Sequence, residues 1–277
     1  MKKILFWALA VLITLSAIIY QRKTGPTYDK KVRITIENQE YEFKLIRSHE
    51  GEQDCNVELV VSDQDISGIL EYKKYPTKDN WTKVDMERQG NNLTGILPHL
   101  PPAGKYEYKI TLTKNGTSYP LNEGTPLLIR FKGEVPETIL IPHIFFMFFA
   151  MLLGNLAGIM AIFKYKRYKF YTTVTVISLF IGGMILGPWV QWYAFGEAWA
   201  GVPFAWDLTD NKTLVSFIFW ILAWFMNRRK EKPVYTIVAS IVMLIVYSIP
   251  HSMYGSQLDP ETGEIIQGWI RSGIRFW

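Results

Sequence analysis

Five stretches of the chain are almost wholly apolar, and a stretch of about 100 residues between the first two is not. Residues 4–20, 139–163, 170–192, 214–226 and 234–249 make up the apolar set. Each predicts a helix, because backbone exposed to lipid must satisfy its own hydrogen bonds. The run 214–226 is short for a full crossing, and Thr213 with the polar residues before it extends it by a helical turn. The first run follows Lys2 and Lys3 and ends without a small-x-small exit. It is therefore expected to stay in place as a signal anchor.

From 28 to 131 the pattern changes to period two with turn punctuation. Strands are predicted at 31–36, 41–46, 56–61, 69–74, 81–87, 92–97, 105–113, 117–121 and 126–131. Asn115-Gly116 is a strong hairpin signal. Many short strands at this spacing argue for an all-β sandwich. The expected fold class is a bundle of about five transmembrane α-helices with an inserted β-sandwich. Residues 1–27 form the anchor and 28–135 the exterior domain. Residues 136–277 form a four-helix region with an outward loop at 187–213 and an outward tail at 250–277. Within that tail, 265–276 is amphipathic and is expected to lie on the membrane surface.

Charge turns this count into an orientation. The formal net charge is +5 and the pI about 9.0. The basic residues gather in short links: Lys2 and Lys3; then Lys164, Lys166, Arg167 and Lys169; then Arg228, Arg229, Lys230 and Lys232. Holding such clusters on the cytoplasmic side puts the N-terminus inside, and the β domain and C-terminus outside. Arg22 and Lys23 fall outside and dissent. The expected location is the plasma (inner) membrane of the cell envelope, multi-pass, with the lipid bilayer and other envelope membrane proteins as partners. Nucleic acid is not an expected partner, because the soluble part has no basic face with interleaved aromatics.

The one cysteine, Cys55, excludes an internal disulfide, a C-x-x-C-H haem attachment and a cysteine-rich metal site within one chain. No phosphate-binding loop, G-x-S-x-G or H-E-x-x-H is present. Asn155, flanked by Gly154 and Gly158, and the Gly182-Gly183 pair read as helix-packing positions. So few polar groups within the spans argue against a solute transporter. No catalytic residue is assigned.

Candidate chemistry collects at the predicted outer boundary. The loop 187–211 carries Trp189, Trp192, Trp199, Trp206, Tyr193 and Phe195, an interfacial aromatic belt. Among the rings stand Glu197, Asp207 and Asp210. Thr209 or Asp210 is expected to N-cap the fourth helix. His143 and His251 each lie in an Ile-Pro-His sequence at the outward end of a helix. Met147 shares the face of His143 at i, i+4. The candidate metal or ligand set is His143, His251, Asp207, Asp210 and Met147, with Glu197 and Asp259 as secondary members. His with Met suits copper(I) or haem iron, and His with Asp suits zinc, so a transition metal or haem is the cofactor class considered. His49 and His99 read as ordinary loop residues.

The segment Leu100-Pro101-Pro102-Ala103-Gly104-Lys105-Tyr106-Glu107-Tyr108 resembles the stretch before the penultimate strands of fibronectin type III and immunoglobulin-like domains. That resemblance implies an Ig-like sandwich in which Tyr106 or Tyr108 bonds back to the backbone as a corner lock. The plan of an outward β domain on a helical bundle with His and Met near the outer face loosely resembles copper-resistance membrane proteins. Two readings follow: an outer-leaflet site for a metal, haem or small ligand, and a non-catalytic envelope scaffold whose β domain binds a partner protein.

Overall fold

A computed structural model describes residues 2–250 and 255–267. It divides into two compact units, one helical and one built of strands.

The helical unit comprises 1–26 and 135–255. Its helices are α1 (Lys2–Thr24), α2 (Glu137–Ile162), α3 (Tyr168–Leu179), α4 (Gly187–Phe195), α5 (Leu208–Met226) and α6 (Pro233–Ser248). A π-helical segment, Phe180–Leu186, joins α3 to α4, so Tyr168–Phe195 is one rod and the described residues of the unit form five. Three rods, Lys2–Thr24, Glu137–Ile162 and Tyr168–Phe195, are long and apolar enough to cross a membrane. The short fourth run does gain its extra turn, since α5 begins at Leu208.

Side-chain contacts fix which helix ends lie together. Near the start of α1, Phe6 stacks on Phe163 at 5.2 Å, just past the end of α2. Tyr168, at the start of α3, donates to Asn227 Oδ1 at 2.6 Å, just past the end of α5. The Thr172 and Thr236 hydroxyls then join α3 to α6 at 3.2 Å. All three basic clusters therefore sit at one end of the unit. At the other end, Gln21 of α1 donates to the Tyr247 carbonyl at 2.7 Å, at the end of α6.

The glycines act as expected of packing positions. A Cβ on Gly158 would lie 2.5 Å from Ser240 Cβ, and one on Gly154 would lie 2.8 Å from Trp220 Cζ2. Asn155 turns the other way and donates to Thr14 of α1 at 2.9 Å. The buried face of α5 is polar for much of its length: Lys212, Ser216, Trp220, Ala223 and Asn227. Its exposed side carries Val215, Ile218, Ile221, Leu222 and Phe225.

Among the described residues, the strand unit comprises 27–134 and 256–267. Its strands are β1 (Lys30–Ile36), β2 (Gln39–Leu45), β3 (Ser48–Glu50), β4 (Cys55–Val60), β5 (Ser67–Lys74), β6 (Thr82–Asp85), β7 (Glu87–Gln89), β8 (Asn92–Leu97), β9 (Lys105–Lys114), β10 (Thr117–Pro120), β11 (Leu127–Lys132), β12 (Ser256–Leu258) and β13 (Ile265–Gln267). One sheet runs β3-β11-β9-β5-β6, with β10 beside the far half of β9. A second runs β4-β8-β7, and β1-β2 and β12-β13 are hairpins. Pairing is antiparallel except for β3 with β11. Along β9, Tyr106, Tyr108, Ile110 and Leu112 alternate inward, the period-two pattern of a half-buried strand. They share one core with Phe43 of β2, Leu59 of β4, Leu93 of β8 and Phe131 of β11.

Tyr108 is buried, and its hydroxyl donates to the Ile46 carbonyl at 2.7 Å, 62 positions back along the chain. The corner lock of Ig-like domains reaches only a few residues upstream, so this is a long-range tie of another kind. His49 and His99 both set their rings against Phe131, at 5.3 and 6.1 Å.

Of the expected amphipathic surface segment 265–276, only Ile265–Gln267 lies among the described residues. Ile265–Gln267 is a strand paired with Ser256–Leu258. This hairpin belongs to the strand unit: Leu258 N–H donates to the Ala103 carbonyl at 3.1 Å. Lys105 Nζ donates to Gln257 Oε1 at 3.0 Å, and Arg130 donates to the Ser256 carbonyl.

Candidate functional site

His143 lies in the second turn of α2, directly after the internal Pro142. Its Nδ1 is 2.8 Å from the Gly182 carbonyl, within the π-helical segment. A carbonyl only accepts, so Nδ1 carries the proton, and the neutral ring keeps its lone pair on Nε2. The wider π turn also directs the Gly187 N–H to the same Gly182 carbonyl. Glycine is required there: a Cβ on Gly182 would lie 2.8 Å from Phe146 Cβ and 3.2 Å from the Met147 nitrogen. One turn along from His143, the Met147 sulfur accepts from the Tyr247 hydroxyl at 3.7 Å. His143 and Met147 thus share a face, as expected, and both meet the π-helical segment.

The carboxylates do different work. Gly196, in the left-handed region with φ 80°, ends α4 and starts the loop to α5. Asp207 is the N-cap of α5; its side chain accepts from Thr209 N–H at 2.7 Å and Asp210 N–H at 3.3 Å. This corrects the expected cap at Thr209 or Asp210, because the helix starts earlier than the apolar run. Asp210 turns back into the loop, where Oδ2 accepts from Ala200 N–H at 2.7 Å. Asn211 Oδ1 takes the Val202 N–H at 2.8 Å, and Asp207 N–H donates to the Ala200 carbonyl at 2.7 Å. Glu197 lies close enough to feel the Asp207 charge. Burial first, and then that charge, hold its carboxyl above the usual carboxylate range.

Lys212, in the first turns of α5, is not singled out by the sequence pattern. It is buried, and its Nζ donates to the Ile249 carbonyl at 2.7 Å, just past the end of α6. A cation there complements the C-terminal end of the helix dipole. The available signal was its place on the inward stripe with Ser216 and Trp220.

Of the remaining candidates, His251 lies outside the described residues. Asp259 belongs to the strand unit, where its Oδ1 accepts from Glu261 N–H at 2.9 Å and shapes the β12-β13 turn. Among the described residues, no group of three or more His, Cys, Asp or Glu side chains is placed to hold a metal ion. The acids Asp207 and Asp210 serve backbone N–H groups, while His143 serves the π-helical segment. No protein-family model matches the chain, and neither a curated protein nor a solved structure is similar to it.

Proposed function

We propose that this chain is a multi-pass protein of the plasma (inner) membrane that binds a transition metal or haem iron through Nε2 of His143 at the outward ends of its helices. Three features support the membrane part. The helical unit buries polar side chains such as Thr14, Asn155, Thr172, Ser216 and Thr236 within its apolar core and exposes many large apolar ones, most plainly on α5, a distribution that water does not select. Its three basic clusters share one end, as the positive-inside rule asks of a cytoplasmic face. The terminal hairpin bonds to the strand unit, so both lie on one side. An even number of crossings then separates Glu134 from Ser256, which the two long rods, α2 and α3–α4, supply alone or together with the pair of shorter helices α5 and α6.

The observation that carries the ligand reading is the bond from His143 Nδ1 to the Gly182 carbonyl. Ligating histidines characteristically give their other ring N–H to a carbonyl or carboxylate, which fixes the ring and its tautomer. π-Helical turns recur at functional sites. The test is the purified protein analysed for bound transition metal and for a haem absorption band. A stoichiometric signal that His143→Ala abolishes is expected. Absence of both signals from the unaltered protein sinks the ligand reading and leaves the membrane reading standing.

The scaffold reading, with the strand unit as an Ig-like partner-binding module, draws on a separate observation. Asp207 and Asp210 are engaged inside the fold, so the acids do not add to a metal site. Crosslinking in intact membranes, read by mass spectrometry, tests it; recovery of monomer alone counts against it.

A further inference from the structure

The loop between α4 and α5 is built inside out. The two acids where it enters α5 point in: the N-cap Asp207 is 2% exposed and Asp210, in the first turn of α5, 8%, while Glu197 near its start is half-buried. Its rings point out: Phe204 is 82% exposed and Trp206 53%. A loop facing water places these groups the other way round, because burying a carboxylate costs free energy and burying a ring gains it.

The inversion is not slack chain. Asp210 and Asn211 hold the backbone at Ala200 and Val202, and the Phe204 and Ala205 N–H groups both donate to the Gly201 carbonyl at 3.0 Å. Trp199 Nε1 donates to the Val202 carbonyl at 3.1 Å. A Cβ on Gly201 would lie 2.8 Å from Asp210 Cβ, so the loop packs closely on the first turn of α5. Exposed apolar side chains stand on all three parts: Trp189, Trp192 and Tyr193 of α4, Phe204 and Trp206 of the loop, and Val215 and Ile218 of α5.

From this we infer that the 196–207 loop is a preformed wedge seated in the outer interface of the bilayer, with Phe204 as its apolar tip and Asp210 and Asn211 as positioning residues that hold it. The occupant of the exposed face is lipid at the boundary between headgroups and acyl chains. Phe204 stands on the connection between two helices that both expose apolar side chains, Trp189 and Trp192 on α4 and Val215 and Ile218 on α5. The flanking indoles have the amphipathic character such a boundary favours. This inference rests on the membrane reading above and is independent of any ligand at His143.

The full chain permits a direct test. Cys55 is buried, and burial pushes its thiol up to about 12, so an introduced cysteine is the only group that labels. Phe204→Cys, Ile218→Cys and Ile96→Cys are each spin-labelled in phospholipid vesicles. Their relaxation by oxygen, which concentrates in lipid, is compared with that by a water-soluble nickel chelate. The inference expects positions 204 and 218 to favour oxygen and position 96, on the strand unit, to favour nickel. If 218 favours oxygen while 204 favours nickel, the wedge is overturned and the membrane reading survives. If 204 is shielded from both, a protein surface covers it, which also overturns the wedge. Nickel preference at 218 overturns the membrane reading and the wedge together.

Discussion

Lys212, in the first turns of α5, donates from its Nζ to the carbonyl of Ile249 across 2.7 Å, and so ties the beginning of one helix to the end of the next. Gln21 of α1 bonds the Tyr247 carbonyl at the same end of α6. Helix C-termini leave carbonyls without intrahelical donors, and here two neighbouring helices supply them. Together they fix where the chain leaves α6 on its way to His251. Replacing Lys212 with Met keeps the length of the side chain and removes the charge and the donor. The expected loss is roughly 1.5–3 kcal/mol, the range for hydrogen bonds to charged groups. Denaturant titration of the detergent-solubilised protein, followed by circular dichroism, measures it.

Asp210 separates the backbone-holding role from a role as a charged ligand. Asp210→Asn keeps an oxygen able to accept the Ala200 N–H, so the loop is expected to hold its form. Asp210→Leu removes the acceptor. Hydrogen exchange at the Ala200 amide, read by mass spectrometry of the loop peptide, is then expected to quicken in the Leu variant and not in the Asn variant. Equal exchange in all three proteins would place the constraint elsewhere.

Tyr108 offers the matching test in the strand unit. Its hydroxyl joins β9 to the Ile46 carbonyl, just beyond β2. Tyr108→Phe leaves the ring in the core and removes one hydrogen bond, so a loss of about 0.5–1.5 kcal/mol is expected. A smaller change would mean that water replaces the hydroxyl at Ile46.

Which of these features could be read from the chain depends on how local their causes are. The helical rods follow from apolar runs, and their common end follows from Lys164–Lys169 and Arg228–Lys232, so both were legible. The N-cap of α5 was not. Asp207, Thr209 and Asp210 can all cap; Asp207 takes the role because α5 starts at Leu208, ahead of the apolar run, while Asp210 accepts from Ala200 N–H. Lys212 in an apolar helix suggests a side chain reaching outward, and its inward turn needs the position of the α6 carbonyls. The terminal hairpin was hidden for a similar reason. Ile265–Gln267 is too short to read as a strand, and its anchors, Ala103, Lys105 and Arg130, lie far back in the sequence.

Lys105 connects that hairpin to pH. It lies opposite Arg130 in the β9-β11 register, and burial first, then the neighbouring guanidinium, push its amine down to about 8. Between about 8 and its ordinary 10.5, the unfolded chain binds more protons than the folded one, so stability from this group rises with pH across that window. Below about 8 the cost of burying the charge is fully present. Lys105→Met is therefore expected to stabilise the protein at pH 7 relative to its effect at pH 10. Thermal unfolding of both proteins at the two values gives the difference, in which the other titrating groups cancel.

The close approach of α2 and α6 gives a test in which one substitution is expected to repair another. A Cβ at Gly158 would sit 2.5 Å from Ser240 Cβ, an atom fixed to the backbone and unable to swing aside. Gly158→Ala must therefore push the helices apart, at a cost in the 1–3 kcal/mol range typical of overpacking. Gly154 faces the flexible end of Met243 but also the rigid ring of Trp220, so Gly154→Ala is expected to be harmful as well. Ser240→Gly removes the atom that Gly158→Ala would strike. The pair Gly158→Ala with Ser240→Gly should recover most of the lost stability, giving a favourable coupling energy in a double-mutant cycle. The pair Gly154→Ala with Ser240→Gly should show little coupling, because Ser240 is not among the nearest atoms met at Gly154. Equal coupling in both pairs would mean that the helices separate as a whole, and that contact at Gly158 does not set their distance.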